Sequence, residues 1–305
     1  MSCDAITGIK GRLAWFRDAK SRSADRDGQS SLAKKIPTNR MMKKSLFRAH
    51  PLTLSLLAMS TASAYAADKG ASDETAVEPT SVRWGLGVAV NIRKSIYDGV
   101  GTRSMALPLV RYDGDVVHVS GNQIDVTAPS VGAVKFSLHA ELPVGEGYKS
   151  VDSPQLAGMA DRRSAVMVGV NSTLQCELAD LMLAWLKSAS GGSHGSAARF
   201  GAEHAFRMAP MTQLVPHVAV SSFDRRYVDY FYGVTAAEAT SIRPFYAGKS
   251  ARAFEFGVRL QHAIDLRHRF QVDVSNTRYG DGITASPIVA KSLEATVKVG
   301  YSYSF

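Results

Sequence analysis

The chain has 305 residues, of which 45% are hydrophobic and 21% are charged, and its formal net charge at pH 7 is +9. The excess of positive charge lies at the start, because residues 1–66 contain twelve basic and only four acidic side chains. The other 24 basic and 23 acidic residues nearly balance, so residues 67–305 lack the basic surface that nucleic-acid binding requires.

Residues 41–66 have the three regions of a secretory signal peptide. Three basic residues in segment 43–48 are followed by the apolar run 52–59, and small residues then predict cleavage between Ala66 and Ala67. A membrane-spanning helix is the alternative, but it needs about 20 apolar residues and the run is much shorter. The sequence therefore predicts export through a cleaved signal peptide.

The segments on either side of the signal peptide carry no pattern that would bury a face. Residues 1–40 are basic and unpatterned, and we interpret them as an extension from a start codon assigned too early. A disordered cytoplasmic extension is the alternative. Residues 67–81 are polar and acidic, which predicts a periplasmic linker before a single domain at 82–305.

From residue 82 onward, apolar and polar residues alternate with the period of two that is typical of β-strands. Segment 174–186 also fits an amphipathic helix, although its neighbours resemble strands. The number of predicted strands is twelve, and it becomes ten or fourteen if the weak strands near 115–128 merge or split. Twelve strands are predicted, at 84–92, 105–112, 115–120, 123–128, 131–140, 164–172, 174–186, 196–206, 212–222, 251–262, 268–276 and 292–305.

The last predicted strand is the most regular. Its odd positions are apolar or aromatic, and Tyr301, Tyr303 and Phe305 gather at its end. Its length suits a tilted strand that crosses a bilayer, which needs roughly 9–11 residues. Aromatic residues at the end of such a strand are typical of an interfacial girdle. We therefore expect these three residues to form a C-terminal assembly signal.

Long and short connections alternate along the predicted strands. Brief periplasmic turns and longer external loops are typical of outer-membrane barrels. The pattern predicts an all-β fold, a transmembrane antiparallel up-and-down β-barrel with both ends of the barrel segment in the periplasm. Gly121 and Asn122 form an unexpectedly tight external connection, and Pro216 weakens one strand because it cannot donate to the ladder. A secreted β-sandwich is the alternative, with shorter strands.

The sequence contains no motif for nucleotide binding, metal binding or nucleophilic catalysis. His262 and His268 face each other only across a short turn, so we predict no metal site. His217, Ser221 and Asp224 lie near the outer end of one strand, but their spacing does not distinguish them from ordinary loop residues. We therefore predict no catalytic residue, no cofactor and no enzymatic activity.

Charged residues occur at the interior-facing positions of the predicted barrel, and both signs are present. This favours a paired network in the lumen over a charge-selective filter. The residues are Lys135, Glu203, Arg207, Glu255, Arg259, Asp273, Glu294 and Lys298.

Segment 223–250 is a long loop with an unusual density of aromatic residues. One interpretation is that it folds over the barrel mouth and packs on itself. The other is an external contact surface for a partner, to which exposed aromatic and arginine side chains are suited. The candidate contact residues are Tyr230, Tyr232, Gly233, Val234, Glu238, Arg243 and Tyr246.

Six short motifs, in order, resemble the MipA/OmpV family of outer-membrane proteins. Together they extend over almost all of residues 82–305, while segment 141–163 departs from the family pattern. The motifs are Trp84-Gly85-Leu86-Gly87-Val88, Leu107-Pro108 before Tyr112, Tyr232-Gly233-Val234, Ala237-Glu238-Ala239, Arg243-Pro244-Phe245-Tyr246 and Ser286-Pro287-Ile288-Val289.

The resemblance implies a non-enzymatic barrel in the outer membrane of a Gram-negative cell. The family's namesake is regarded as a scaffold that joins a lytic transglycosylase, MltA, to a bifunctional peptidoglycan synthase. Expected partners are therefore outer-membrane lipid, the barrel assembly machinery and these two murein enzymes. A narrow channel or small-solute transporter, or an adhesin-like surface barrel, is the alternative, because one fold hosts many functions.

Overall fold

The computed structural model describes residues 83–305, so segments 1–40, 41–66 and 67–81, with the predicted cleavage site, lie outside the described residues. None of the helices in the described part is both long enough and apolar enough to span a membrane. Two α-helices, α1 (Arg225–Tyr232) and α2 (Asp281–Thr284), and a 3-10 helix (Pro154–Leu156) accompany the strands. The strands are β1 (Arg83–Lys94), β2 (Thr102–Asp113), β3 (Val117–Ser120), β4 (Gln123–Val131), β5 (Val134–Glu141), β6 (Gly147–Tyr148), β7 (Arg162–Arg163), β8 (Met167–Gln175), β9 (Asp180–Ser188), β10 (Ser196–Glu203), β11 (Phe206–Ala209), β12 (Thr212–Phe223), β13 (Ala251–Ala263), β14 (His268–Tyr279) and β15 (Leu293–Ser304).

All strands except β6 and β7 belong to one antiparallel sheet that closes on itself. Each strand pairs with its neighbour along the chain, β15 pairs with β1, and β10 pairs with β12. Because β10 and β11 both lie against β12, they are two parts of one wall strand. The predicted twelve-stranded barrel is therefore confirmed, and the β-sandwich is excluded.

The alternation in the sequence becomes the two faces of the barrel wall. Between β1 and β15, outward-facing Val88 lies opposite Tyr301, and outward-facing Ile92 lies opposite Val297. The positions between them, such as Asn91 opposite Lys298, face the lumen. The last predicted strand therefore closes the barrel against the first, which leaves no sheet edge between them.

Segment 174–186 is not one continuous element. Leu174 and Gln175 end β8, residues 176–179 turn, and β9 begins at Asp180. The strand interpretation is correct and the helical alternative is wrong, but the predicted boundary lies six residues too early. The sequence does not mark this turn, because residues 174–186 contain neither glycine nor proline.

The long loops lie at one end of the barrel and the short turns at the other. Segments 95–101, 142–166, 189–195, 224–250 and 280–292 connect strands at one end, which we call the outer end. Segments 114–116, 132–133, 176–179, 210–211 and 264–267 connect them at the other, the periplasmic end. The exception is the β3–β4 turn at 121–122, because β3 has only four residues and its turn stops below the outer rim.

Pro216 lies inside β12, which nevertheless runs unbroken from Thr212 to Phe223. The partner strand is interrupted instead, since β10 ends at Glu203 and β11 begins at Phe206. The gap faces Pro216, whose missing N–H would have donated to the ladder. The N–H of His204 still donates to the Pro216 carbonyl, with a distance of 3.3 Å between the atoms.

Candidate functional site

A network of charged side chains covers one side of the lumen, over the four adjacent wall strands β10, β12, β13 and β14. The guanidinium of Arg259 lies 3.3 Å from Glu203 and 3.5 Å from Asp273, and the imidazole of His217 lies 3.0 Å from Asp273. Arg199 and Glu255 form a further pair at 2.7 Å. Arg259 is only 4% exposed and Asp273 only 2%, so packed side chains fill this side of the lumen. This is the paired network that the alternation predicts for Glu203, Glu255, Arg259 and Asp273, whereas Lys135 and Arg207 are exposed and lie outside it.

A second polar cluster lies across the lumen, on β4 and β5. Nδ1 of His139 lies 2.8 Å from Asp125, and Nε2 of the same ring lies 3.5 Å from Glu141. The hydroxyl of Ser137 donates to the same Asp125 oxygen at 2.9 Å. Because Ser137 contacts the carboxylate and not the imidazole, the cluster does not have the serine–histidine contact of a nucleophilic site.

The three candidate catalytic residues, His217, Ser221 and Asp224, contact different partners in the structure. His217 is part of the lumen network, Ser221 accepts a hydrogen bond from Arg199, and Asp224 caps α1 by accepting from the N–H of Tyr227. His262 contacts Thr212 and not His268. In the part of the chain that the structure describes, no group of three or more His, Cys, Asp or Glu side chains is arranged to hold a metal ion.

The outer mouth of the barrel is covered by a hydrophobic core that four loops build together, which we call the outer cap. Helix α1 begins at its Asp224 cap and buries one face, as expected for apolar positions one turn apart. The loops that meet there rise from different sides of the rim, so the cap lies over the lumen. The buried members are Ile96, Tyr97, Val100, Tyr148, Leu156, Met159, Tyr227, Val228, Phe231, Tyr232, Val234, Ala251, Ile283 and Ile288.

Two buried charged residues join the long loops of the cap. The Arg243 guanidinium donates to the carbonyls of Gln155 at 2.6 Å, Ala157 at 3.2 Å and Glu238 at 2.8 Å. The Glu238 carboxylate accepts from the N–H of Ala160 at 2.9 Å and from Arg162 at 3.0 Å. Loops 142–166 and 224–250 are therefore held together by charge-assisted hydrogen bonds.

Burial and hydrogen bonding shift the two carboxyls of the cap in opposite directions. Burial raises the pKa of Glu146 to about 6, although the Tyr227 hydroxyl donates to this carboxyl at 2.7 Å. Burial also acts to raise the pKa of Glu238, but the N–H donors of Ala160 and Thr235 outweigh it and lower that pKa. Of these two carboxyls, Glu146 therefore keeps its proton to the higher pH.

The predicted external contact residues lie mainly inside the cap. Tyr232, Gly233, Val234, Glu238 and Arg243 are buried, while Tyr230 and Tyr246 are half-buried. They give the loop its shape, and the backbone of Val234 pairs with that of Tyr246. The large apolar side chains that the loop exposes are different ones, Ile242 and Phe245, of which Ile242 is 88% exposed.

Sequence reasoning missed the contribution of segment 142–166 to the cap. This loop supplies Glu146, Tyr148, Leu156 and Arg162, and its short β6–β7 hairpin is separate from the wall. The only signal in the sequence was its unusual length for a barrel loop. Many of its contacts join distant residues, such as Arg162 and Glu238, which lie 76 positions apart along the chain, and no local pattern encodes such contacts.

The periplasmic end carries a row of exposed apolar side chains, which we call the periplasmic rim. They occupy or flank the turns 132–133, 176–179, 210–211 and 264–267, and Leu266 is 88% exposed. The members are Val131, Leu178, Met208, Ile264 and Leu266.

The predicted assembly residues lie at the same end of the wall. The ring centroids of Tyr303 and Phe305 are 5.1 Å apart, edge to face, and the N–H of Phe305 donates to the Trp84 carbonyl at 2.9 Å. Tyr301 contacts the imidazole of His268 through its hydroxyl. The aromatic end of β15 thus packs onto β1 and β14.

The sequence profile of the family described as MltA-interacting protein MipA matches residues 86–305. Omp26La, an outer membrane protein of Vibrio anguillarum, is 24% identical over 161 residues, which cover 53% of this chain and 62% of that protein. The chain therefore spans less than two thirds of this relative. YiaT of Escherichia coli (strain K12) is 22% identical over 223 residues, covering 72% of this chain and 89% of YiaT.

Among solved structures, the NanC porin superimposes with a TM-score of 0.36 and 8% identity, covering 73% of this chain and 99% of that one. OmpT of Vibrio cholerae, folded in vitro, superimposes with a TM-score of 0.33 and 8% identity, covering 73% and 97%.

Proposed function

The chain belongs to the MipA (MltA-interacting protein) family of outer-membrane β-barrels, and from this premise we propose that it is a non-enzymatic scaffold for murein-processing enzymes. Its partners would be a lytic transglycosylase and a peptidoglycan synthase. The barrel anchors such an assembly in the outer membrane, where its apolar outer face is in contact with lipid. No cofactor takes part.

The observation that carries the proposal is that side chains obstruct the barrel at two levels. The buried ion pairs of Arg259 occupy one side of the lumen, and the outer cap covers its mouth. A barrel built for conduction keeps a continuous polar path, whereas an anchor can fill its interior and gain stability. The interior of this protein suits an anchor.

Murein enzymes act in the periplasm, so the surface that binds them has to be the periplasmic rim. Exposed apolar side chains in a group are uncommon on a surface that faces water, and they are typical of protein docking sites. Ile264 and Leu266 are the strongest candidates, because both lie in the turn 264–267 beyond the ends of β13 and β14 and are well exposed. The loop 224–250 lies at the opposite end and serves the cap.

The test is recovery of murein enzymes from envelopes with the detergent-solubilised barrel as bait. Wild-type protein should recover lytic transglycosylase and peptidoglycan synthase activity, and Ile264→Asp should lose most of it. Ile242→Asp is the matched control, because it makes the same change on an exposed isoleucine of the outer cap. Equal recovery by both variants, or none by wild type, would contradict the scaffold.

A narrow channel is the second candidate, and one observation favours it. The flank of the lumen formed by β5 and β8 is polar and less packed, with Lys135 and Gln175 exposed and Asn171 half-buried. In planar bilayers the scaffold predicts no steady current. Reproducible ion-selective steps would favour the channel instead.

A further inference from the structure

Strand β2 has one fully paired edge and one edge that is mostly bare. Its twelve residues all pair with β1, but only Arg111–Asp113 pair with β3. Beyond that ladder, the N–H of Gly121 donates to the Val110 carbonyl at 2.9 Å. Among residues 83–305, no strand pairs with the second edge of β2 between Thr102 and Leu109.

The bare edge lies at the level of the bilayer. Its outward residues Pro108 and Ala106 are opposite Val88 and Val90 of β1, which belong to the apolar outer face. The next wall strand turns back at 121–122, far below the outer end of β2. The wall therefore has an opening beside residues 102–109, which we call the lateral portal.

Loop 142–166 bounds the portal at its outer side. The Arg103 guanidinium donates to the Gly147 carbonyl at 2.8 Å and also contacts the Asp152 carboxylate. At the lower side, the N–H of Leu142 donates to the Asn122 carbonyl at 3.1 Å, which ties the end of β5 to the β3–β4 turn. The opening thus has fixed borders.

The chemistry of the bare edge argues against addition of another strand. Since the Val110 carbonyl bonds to Gly121, the even-numbered residues of β2 direct their backbone groups to this edge. Pro108 occupies the middle of that series and has no N–H. A proline at an exposed edge is a known means of blocking strand pairing.

The lumen side of the portal is apolar, unlike the charged network on the other side of the barrel. Met105, Leu107 and Leu109 face the lumen, as the pairing of Leu107 with fully buried Ala89 shows. On β14, by contrast, Gln271 and Asp273 occupy lumen-facing positions. Met105 is 41% exposed despite facing inward, so open space adjoins it. An apolar path therefore leads from the lipid into the barrel.

We propose that the lateral portal admits the acyl chain of an outer-membrane lipid, which packs on Met105, Leu107 and Leu109 inside the barrel. Lipid is the medium outside the opening, and the small outward side chains of Ser104 and Ala106 let it approach closely. Acyl burial against three apolar side chains is favourable. This site is independent of the periplasmic scaffold function.

The experiment uses the barrel reconstituted in lipid nanodiscs with a palmitic-acid analogue that carries a photoactivatable diazirine in mid-chain. After illumination, mass spectrometry should find adducts on the lumen-facing residues Met105, Leu107 and Leu109. Adducts confined to outward residues such as Val90 and Val110 would overturn the proposal, because ordinary contact with surrounding lipid explains them. The absence of adducts on all three lumen-facing residues would overturn it as well, because an acyl chain inside the portal lies against them.

A matched pair of variants tests the apolar path. Met105→Gln should reduce labelling of Leu107 and Leu109 about tenfold, because it places an amide in the path of the chain. Met182→Gln makes the same change on a lumen-facing methionine of β9, across the barrel, and should leave the labelling unchanged. An equal loss in both variants would contradict a site at the portal. The wild-type adduct map decides the question if either variant fails to fold.

Discussion

Arg259 is a buried cation in the lumen, and it pairs with two buried carboxylates. It lies within 3.5 Å of both Glu203 and Asp273, and all three side chains are almost fully buried. Buried charges are tolerated only when they are paired, because the interior cannot solvate them as water does. The network therefore ties β10, β13 and β14 together.

Arg259→Met should destabilise the barrel strongly. It leaves Glu203 and Asp273 buried without their cation, which typically costs about 3 kcal/mol or more. The measurement is the free energy of unfolding in denaturant, in detergent micelles. Arg207→Met is the control, because Arg207 is an exposed arginine on β11, and a change below about 0.5 kcal/mol is expected there. Similar losses in both variants would contradict the role assigned to the network.

Glu146 should make the outer cap less stable as the pH rises from about 4.5 to about 6. The folded carboxyl keeps its proton up to about pH 6, whereas an unshifted carboxyl loses it near 4.5. Between these values the folded cap binds more protons than the open cap, so its stability falls with pH by up to about 2 kcal/mol. Amide hydrogen exchange of Tyr148 and Phe231, corrected for intrinsic rates, measures this change.

Glu146→Gln should abolish that pH dependence, because the amide does not titrate. Glu177→Gln is the control, since Glu177 is exposed in a periplasmic turn and lies far from the cap. A slope that survives in Glu146→Gln would show that another group is responsible.

At the scale of single elements, we expect replacement of two prolines in wall strands to have different effects on the free energy of unfolding. Pro216→Ala creates an N–H opposite His204, where the interruption between β10 and β11 leaves a place for it. We expect a gain of about 1 kcal/mol in unfolding free energy and slower amide exchange at residues 204–205. Pro108→Ala creates an N–H on the bare edge of β2 and should give no gain. Equal effects would contradict the difference between the two edges.

For β15, we propose that Tyr301, Tyr303 and Phe305 are an assembly signal, and we expect Phe305→Ala to impair assembly more than stability. Phe305 is 71% exposed in the folded barrel, so its removal loses little packing. The yield of heat-modifiable barrel in cells should fall several-fold, while the unfolding free energy of the purified protein changes little. Phe206→Ala, on a similarly exposed phenylalanine, is the control. A normal yield for Phe305→Ala would contradict the signal.

At the scale of the whole molecule, the cap determines whether the barrel is closed. Arg243 holds loops 142–166 and 224–250 together through the carbonyls of Gln155 and Ala157. Arg243→Gln should loosen them, because a glutamine is shorter and cannot donate to all these carbonyls. We expect brief conductance openings and faster proteolysis of the loops. Arg225→Gln, on the exposed face of α1, is the control and should behave as wild type. If Arg243→Gln causes no conductance openings, the barrier to ions lies deeper in the lumen and not in the cap.

The strands could be predicted because their signal is local. Phe254, Phe256 and Val258 alternate with polar residues on β13, and a transmembrane wall requires this period at every strand. The short β3 was predicted at 115–120 and begins at Val117, but the alternation does not show which neighbouring strand its early turn leaves unpaired. Where a strand stops depends on its partner, and the bare edge of β2 is therefore a tertiary feature.

The sequence predicted the fold class, twelve strands, the charged lumen and the resemblance to the family, because each follows from periodicity or from motifs that lie within a few residues. It left two interpretations of the loop 224–250, since aromatic density is equally compatible with a core and with a contact surface. Only the tertiary structure placed Tyr232 and Arg243 inside the outer cap and opened the wall beside Met105. Those features depend on contacts between distant segments, and the energy of such contacts is not encoded in any local pattern.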